Sequence, residues 1–151
     1  MSEAASRARM IERRGELLAE QLLEELSPAF LAQPTDDLGY DFFLGIPNPN
    51  GGVNIAAVRV KATENPVHSA FPIDRSLYLS LANSNVPALL LVVNVKQNRI
   101  FYAMPGLDLP AGPAGLDRVN VHLTEVDDHV REELRSRLAT LPPALAGAAG
   151  R

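Results

Sequence analysis

Three residues combine chemistry with an unexpected setting: Glu16 in an amphipathic N-terminal segment, Asp41 at the start of an apolar strand pattern, and Lys61 at the end of the next one. Strand positions that should fill a core are costly places for charge unless the charge is paired or used. That makes the three residues a site candidate. Arg59 lies two residues before Lys61 and so shares its strand face, while Val58, Val60 and Ala62 take the other face. A one-residue change of register would send Asp41 away from both.

The elements that must position these residues follow from periodicity. Glu3 to Leu26 carries Met10, Leu17, Leu18, Leu22, Leu23 and Leu26 at helical spacing, and Pro28 stops it. Phe30 to Gly39 is expected as a connector. Strands are expected over residues 41 to 46 and 53 to 62, joined by the Pro, Asn and Gly turn from Pro47 to Gly52. After a polar loop from Asn65 to Phe71, Ile73 to Ala82 predicts a short helix with Asp74 as N-cap. The unbroken apolar run at 88 to 95 reads as a strand buried on both faces, with its hairpin partner at 99 to 104. Arg118 to Leu123 predicts a short strand, and Thr124-x-x-Asp127 has the form of a helix N-cap before Val126, Val130, Leu134, Leu138 and Leu141. The expectation is an α/β fold: a central mixed sheet with flanking helices in three layers, one domain over residues 1 to 141, and a disordered Ala, Gly and Pro tail from 142 to 151.

Composition removes several classes. The chain has 151 residues and no cysteine, so disulfides, thiolate nucleophiles and thiolate zinc sites are all excluded. His68, His122 and His129 are far apart and fall on a loop, a strand and a helix, which is poor spacing for a zinc site. No apolar run reaches the roughly 20 residues of a membrane span, so no membrane partner is expected and a cytoplasmic location is. The net charge is -4, yet Val53 to Met104 holds Arg59, Lys61, Arg75, Lys96 and Arg99 against Glu64 and Asp74, a local excess of three positive charges. Arg7, Arg9, Arg13 and Arg14 add basic side chains to the first helix, where a solvated or dimer-facing surface is the commoner use.

Asp37-x-Gly39-x-Asp41-Phe42, then Val58-Arg59-Val60-Lys61-Ala62, then a short helix and the strand Pro87-Ala88-Leu89-Leu90-Leu91-Val92-Val93-Asn94-Val95 resemble the PD-(D/E)XK restriction-endonuclease-like superfamily, especially its small bacterial domains of unknown function. Arg14-Gly15-Glu16-x-x-Ala19-Glu20 is similar to the first helix of its resolvase relatives. The resemblance spans Arg13 to Met104 and implies a restriction-endonuclease-like three-layer core. It implies Asp41 as metal ligand, Lys61 as the group that orients the attacking water and stabilises phosphorane charge, and Glu16 as the helical acid, with Glu20 as its rival. Without it, a glutamate on an amphipathic helix carries no signal. The position two before the lysine, an acid or glutamine in the family, is Arg59 here, and a guanidinium cannot ligate a metal. Arg59 is expected instead to close a salt bridge to Asp41 or Glu16. Glu64, Asp36 and Asp37 are the acids near enough in sequence to replace the missing ligand. Two readings follow: a nuclease that acts on DNA with Mg²⁺ or Mn²⁺, or an inert nuclease-like subunit, with no cofactor, that binds a protein partner or a second copy of itself.

Overall fold

The computed structural model describes residues 2–36, 38–113 and 115–141. Helix α1 (Glu3–Glu25) begins behind Ser2, whose Oγ accepts a hydrogen bond from the Ala5 amide at 3.1 Å. It closes with Leu26 N donating to Leu23 O and Ser27 in the left-handed region at φ 53. The face it buries differs from the leucine stripe expected. Gly15, Ala19, Leu22, Leu23 and Leu26 are buried, whereas Met10 and Leu17 are exposed. The small residues face inward because α1 lies close upon the sheet.

Strands β1 (Phe30–Ala32), β2 (Phe42–Pro47) and β3 (Val53–Thr63) form an antiparallel meander, so part of the expected connector is itself a strand. The β2–β3 turn is built by Asn48: its Oδ1 accepts from the amides of Asn50 and Gly52, both at 3.0 Å, and Gly51 takes a φ of 86. Such a side-chain acceptor supplies the bonds the turn backbone would otherwise lack. Strand β5 (Ala88–Asn94) runs parallel to β3, with Ala57 opposite Ala88 and Thr63 opposite Asn94. A parallel neighbour needs a crossover. Here it consists of β4 (Ala70–Asp74) and helix α2 (Arg75–Ala82). Strand β6 (Arg99–Ala103) returns antiparallel to β5, and β9 (Thr124–Glu125) completes the order β1-β2-β3-β5-β6-β9.

The described residues form a second, three-stranded sheet in which β8 (Arg118–His122) lies between β4 and β7 (Gly112–Pro113). Strand β4 was not expected: Pro72 interrupts its pattern, and a proline is tolerated there because β4 lies at the edge of this small sheet. Asp74 does precede α2, but its side chain makes no capping bond. For helix α3 (Asp128–Ala139) the cap is Asp127, whose carboxylate accepts from Val130 N at 2.8 Å; Thr124 belongs to β9 instead.

Every residue of β5 is buried, and its alternation divides the interior in two. Leu89, Leu91 and Val93 join Leu22, Leu23, Phe42, Leu44 and the α3 leucines Leu134 and Leu138. Leu90 and Val92 join Ile73, Leu81, Val121 and Leu123 on the opposite face. The fold is thus mixed α/β, a mixed six-stranded sheet with three helices among the described residues. No helix among them is long and apolar enough to cross a membrane. The expected tail at 142–151 lies outside the described residues.

Candidate functional site

The site arises where two paired strands differ in length. The β2–β3 ladder stops at Phe42 opposite Val58, but β3 continues to Thr63, so beyond Val58 it has no strand on that side among the described residues. Asp41 covers the first exposed step. Its amide donates to Val58 O at 2.8 Å, and its Oδ2 accepts from the Val60 amide at 2.7 Å. A carboxylate thereby takes the place of the missing strand carbonyl, a charge-assisted bond to a backbone donor.

Helix α1 approaches the same edge through Gly15. A Cβ at this position would lie 2.6 Å from Ala62 Cβ, so only glycine permits this approach. The residue before Gly15 by one turn, Glu12, and the residue after it, Glu16, are carried to the edge as a result. Glu12, Glu16, Asp41, Arg59 and Lys61, together with Val60 and Ala62, line a cleft of about 380 Å³. Glu12 was not singled out from sequence, although its i, i+4 relation to Glu16 places the two on one helix face.

Apart from Glu16, the charges in this cleft have no ion-pair partner among the described residues. Among the described residues Asp41, Arg59 and Lys61 make no ion pair, and Glu16 reaches only Arg13, at 3.8 Å. Burial pushes the Glu16 carboxyl above its ordinary value, and the charge of Asp41 adds to the shift; Glu12 and Glu20 push the same way, against Arg13. Two carboxylates therefore repel one another across a partly desolvated gap, the arrangement a bound cation would relieve.

Several expectations change here. Arg59 does not bridge Asp41 or Glu16. Asp41 turns its carboxylate laterally onto the strand edge, and the Arg59 guanidinium instead donates from Nη1 to Gly39 O at 3.3 Å, while Nε is buried with no partner among the described residues. Glu64 is not a replacement ligand. It is held by Arg7 through two guanidinium nitrogens, the shortest contact being 2.7 Å, away from the cleft. Glu20 influences Glu16 electrostatically but does not line the cleft. Asp36 does not line it either, and Asp37 lies outside the described residues. The expected basic field is also weaker than the sequence count, since Arg99 is paired with Glu125 at 2.6 Å. No group of three or more His, Cys, Asp or Glu side chains with metal-holding geometry occurs among the described residues. No family model, curated protein or solved structure matches the chain.

Proposed function

We propose that this chain is a divergent restriction-endonuclease-like domain that binds DNA through its phosphate backbone at the cleft of Glu16, Asp41 and Lys61. The observation that supports this most is the convergence of two mutually repelling carboxylates with an ammonium that has no acidic partner among the described residues, all in one cleft. Mg²⁺ binds through one or two carboxylates and completes its shell with water and substrate phosphate. The donor set fits that demand: Asp41 and Glu16 would hold Mg²⁺ or Mn²⁺, with Glu12 beside them. The bound ion would polarise the phosphodiester and its attacking water.

The protein's own part is positional and electrostatic. The Val60 amide fixes the Asp41 carboxylate, leaving Oδ1 for a ligand. The Lys61 ammonium offsets charge growing on the phosphoryl oxygens. Arg59 opposes metal binding. At about 4 Å a unit charge costs a cation roughly 4 kcal/mol per charge in a partly screened site, as an upper limit. Since one 3.3 Å bond holds its guanidinium among the described residues, Arg59 can swing toward a phosphate once DNA is present.

A second reading, an inert nuclease-like interaction subunit, draws on the absence of a three-ligand cluster among the described residues and on Arg59 in the cleft wall. Mn²⁺ titration calorimetry and plasmid nicking separate the two. The nuclease reading expects weak Mn²⁺ binding and slow nicking by the native chain, both lost in Asp41→Asn, with nicking abolished by Lys61→Ala. Arg59→Gln should tighten Mn²⁺ about tenfold or more, equivalent to about 1.4 kcal/mol. Nicking that survives Lys61→Ala, or an Arg59→Gln protein that still binds neither Mn²⁺ nor DNA, overturns it.

A further inference from the structure

The cleft does not end at Lys61. A second cavity of about 230 Å³ begins on the far side of this residue and shares both Lys61 and Ala62 with the first. Its walls come from β4 and β8: Phe71 and Pro72 give it an apolar side, and Arg118 and Asp74 stand at its margin. At that volume it is smaller than the roughly 300–1,000 Å³ of an independent ligand pocket. It reads instead as an extension of the cleft, with Lys61 at the junction.

Arg118 is not firmly committed elsewhere. Its guanidinium sits 3.6 Å from Asp74, both side chains are largely exposed, and an exposed pair of that length contributes little. A planar guanidinium next to an aromatic and a proline wall matches the two parts of a nucleotide: phosphate for the cation and a base face for the apolar side. A base can reach such a wall only when unstacked from its neighbours, which is inexpensive in a single strand and costly in a duplex.

Resting on the DNA-binding reading above, we infer that the Phe71 and Arg118 cavity is a second nucleotide subsite: it takes one unstacked nucleotide of a single DNA strand whose neighbouring phosphate lies at Lys61. Arg118 acts as a positioning residue for the strand, and Asp74 competes with the phosphate for it.

The test is fluorescence anisotropy with a labelled, phosphorothioate-linked thymidine oligonucleotide, in Mg²⁺ and in EDTA, across a salt series. Arg118→Ala should weaken binding about tenfold and reduce the slope of log K against log salt by about one, as loss of one phosphate contact does. Asp74→Asn should tighten binding about threefold, and because Asp74 makes no capping bond the change leaves α2 intact. Arg9→Ala, which lines neither cavity, should leave affinity unchanged. Full affinity in Arg118→Ala together with weakened binding in Lys61→Ala overturns the subsite and leaves the DNA reading standing. Equal losses in Arg9→Ala and Arg118→Ala reduce the effect to net charge and overturn it as well. A duplex of the same length bound as tightly as the single strand overturns the unstacked nucleotide. No binding of either by the native chain overturns the subsite and the DNA reading together.

Discussion

Replacing Gly15 by alanine probes the contact that brings α1, and with it Glu12 and Glu16, onto the unpaired edge of β3. Mid-helix alanine is favoured over glycine by about 1 kcal/mol, so propensity alone predicts a more stable protein. Packing predicts the reverse. The new Cβ would sit 2.6 Å from Ala62 Cβ and 3.5 Å from Ala62 Cα. Carbon atoms prefer about 3.5–4.0 Å, so one element must retreat by about 1 Å, and Ala62 cannot yield because its Cβ is fixed to the strand backbone. Forced insertion of one methyl into a packed contact costs typically about 1–3 kcal/mol. A 2.6 Å approach to a methyl that cannot move belongs in the upper part of that range, about 2–3 kcal/mol, so after the propensity gain the net loss is about 1–2 kcal/mol. With a urea slope of about 2 kcal/mol per molar, the unfolding midpoint should fall by roughly 0.5–1 M. The companion change Ala62→Gly removes the opposing methyl, so the double variant should recover most of the Gly15→Ala loss once the cost of Ala62→Gly alone is subtracted. Denaturation followed by circular dichroism at constant slope measures all four proteins. A Gly15→Ala protein as stable as the native chain, or a double variant with no coupling, would refute the close approach of α1 to β3.

Two further outcomes follow from the cleft. Asp41→Ala strands the Val60 amide and should cost about 1–2 kcal/mol, whereas Asp41→Asn keeps an oxygen acceptor and should cost less than about 1; equal losses in urea unfolding would count against the carboxylate as strand-edge cap. Glu16 has a folded-state pKa above its ordinary value of 4.5, so its contribution to stability is full below that value and lost as pH rises through the higher folded one. Glu16→Gln should therefore be more stable than the native chain at neutral pH, with the advantage shrinking as pH falls toward 4.5. A constant difference across the pH range of thermal unfolding would contradict the repulsion from burial and Asp41.

Local sequence signals determined a good part of this protein. The run from Ala88 to Asn94 has apolar residues on both pleat faces, which suits a strand covered on both sides, and β5 is buried throughout. Pro, Asn and Gly between two strand patterns gave the β2–β3 turn, and alternation put Arg59 and Lys61 opposite Val58, Val60 and Ala62. Elements stabilised by distant partners were less legible. β1 and β4 are short, one of them carries Pro72, and each exists because a remote strand supplies its hydrogen bonds. Glycine inside α1 was a visible irregularity whose meaning depended on Ala62, 47 positions away in sequence.

The same division holds at the cleft. Charge at strand positions put Asp41 and Lys61 forward, and Glu16 joined them as a set only through the family resemblance, which also implied what each would do. Only the tertiary structure decided how each charge is spent. The register at Phe42 and Val58 set Asp41 against the Val60 amide instead of Arg59, the path of α1 added Glu12, and the packing of Arg7 withdrew Glu64. Sequence spacing fixes which face of an element a side chain leaves from, because that is a local property of the backbone. Which partner it meets depends on the relative placement of separate elements, and that placement is set by burial on both faces of the sheet.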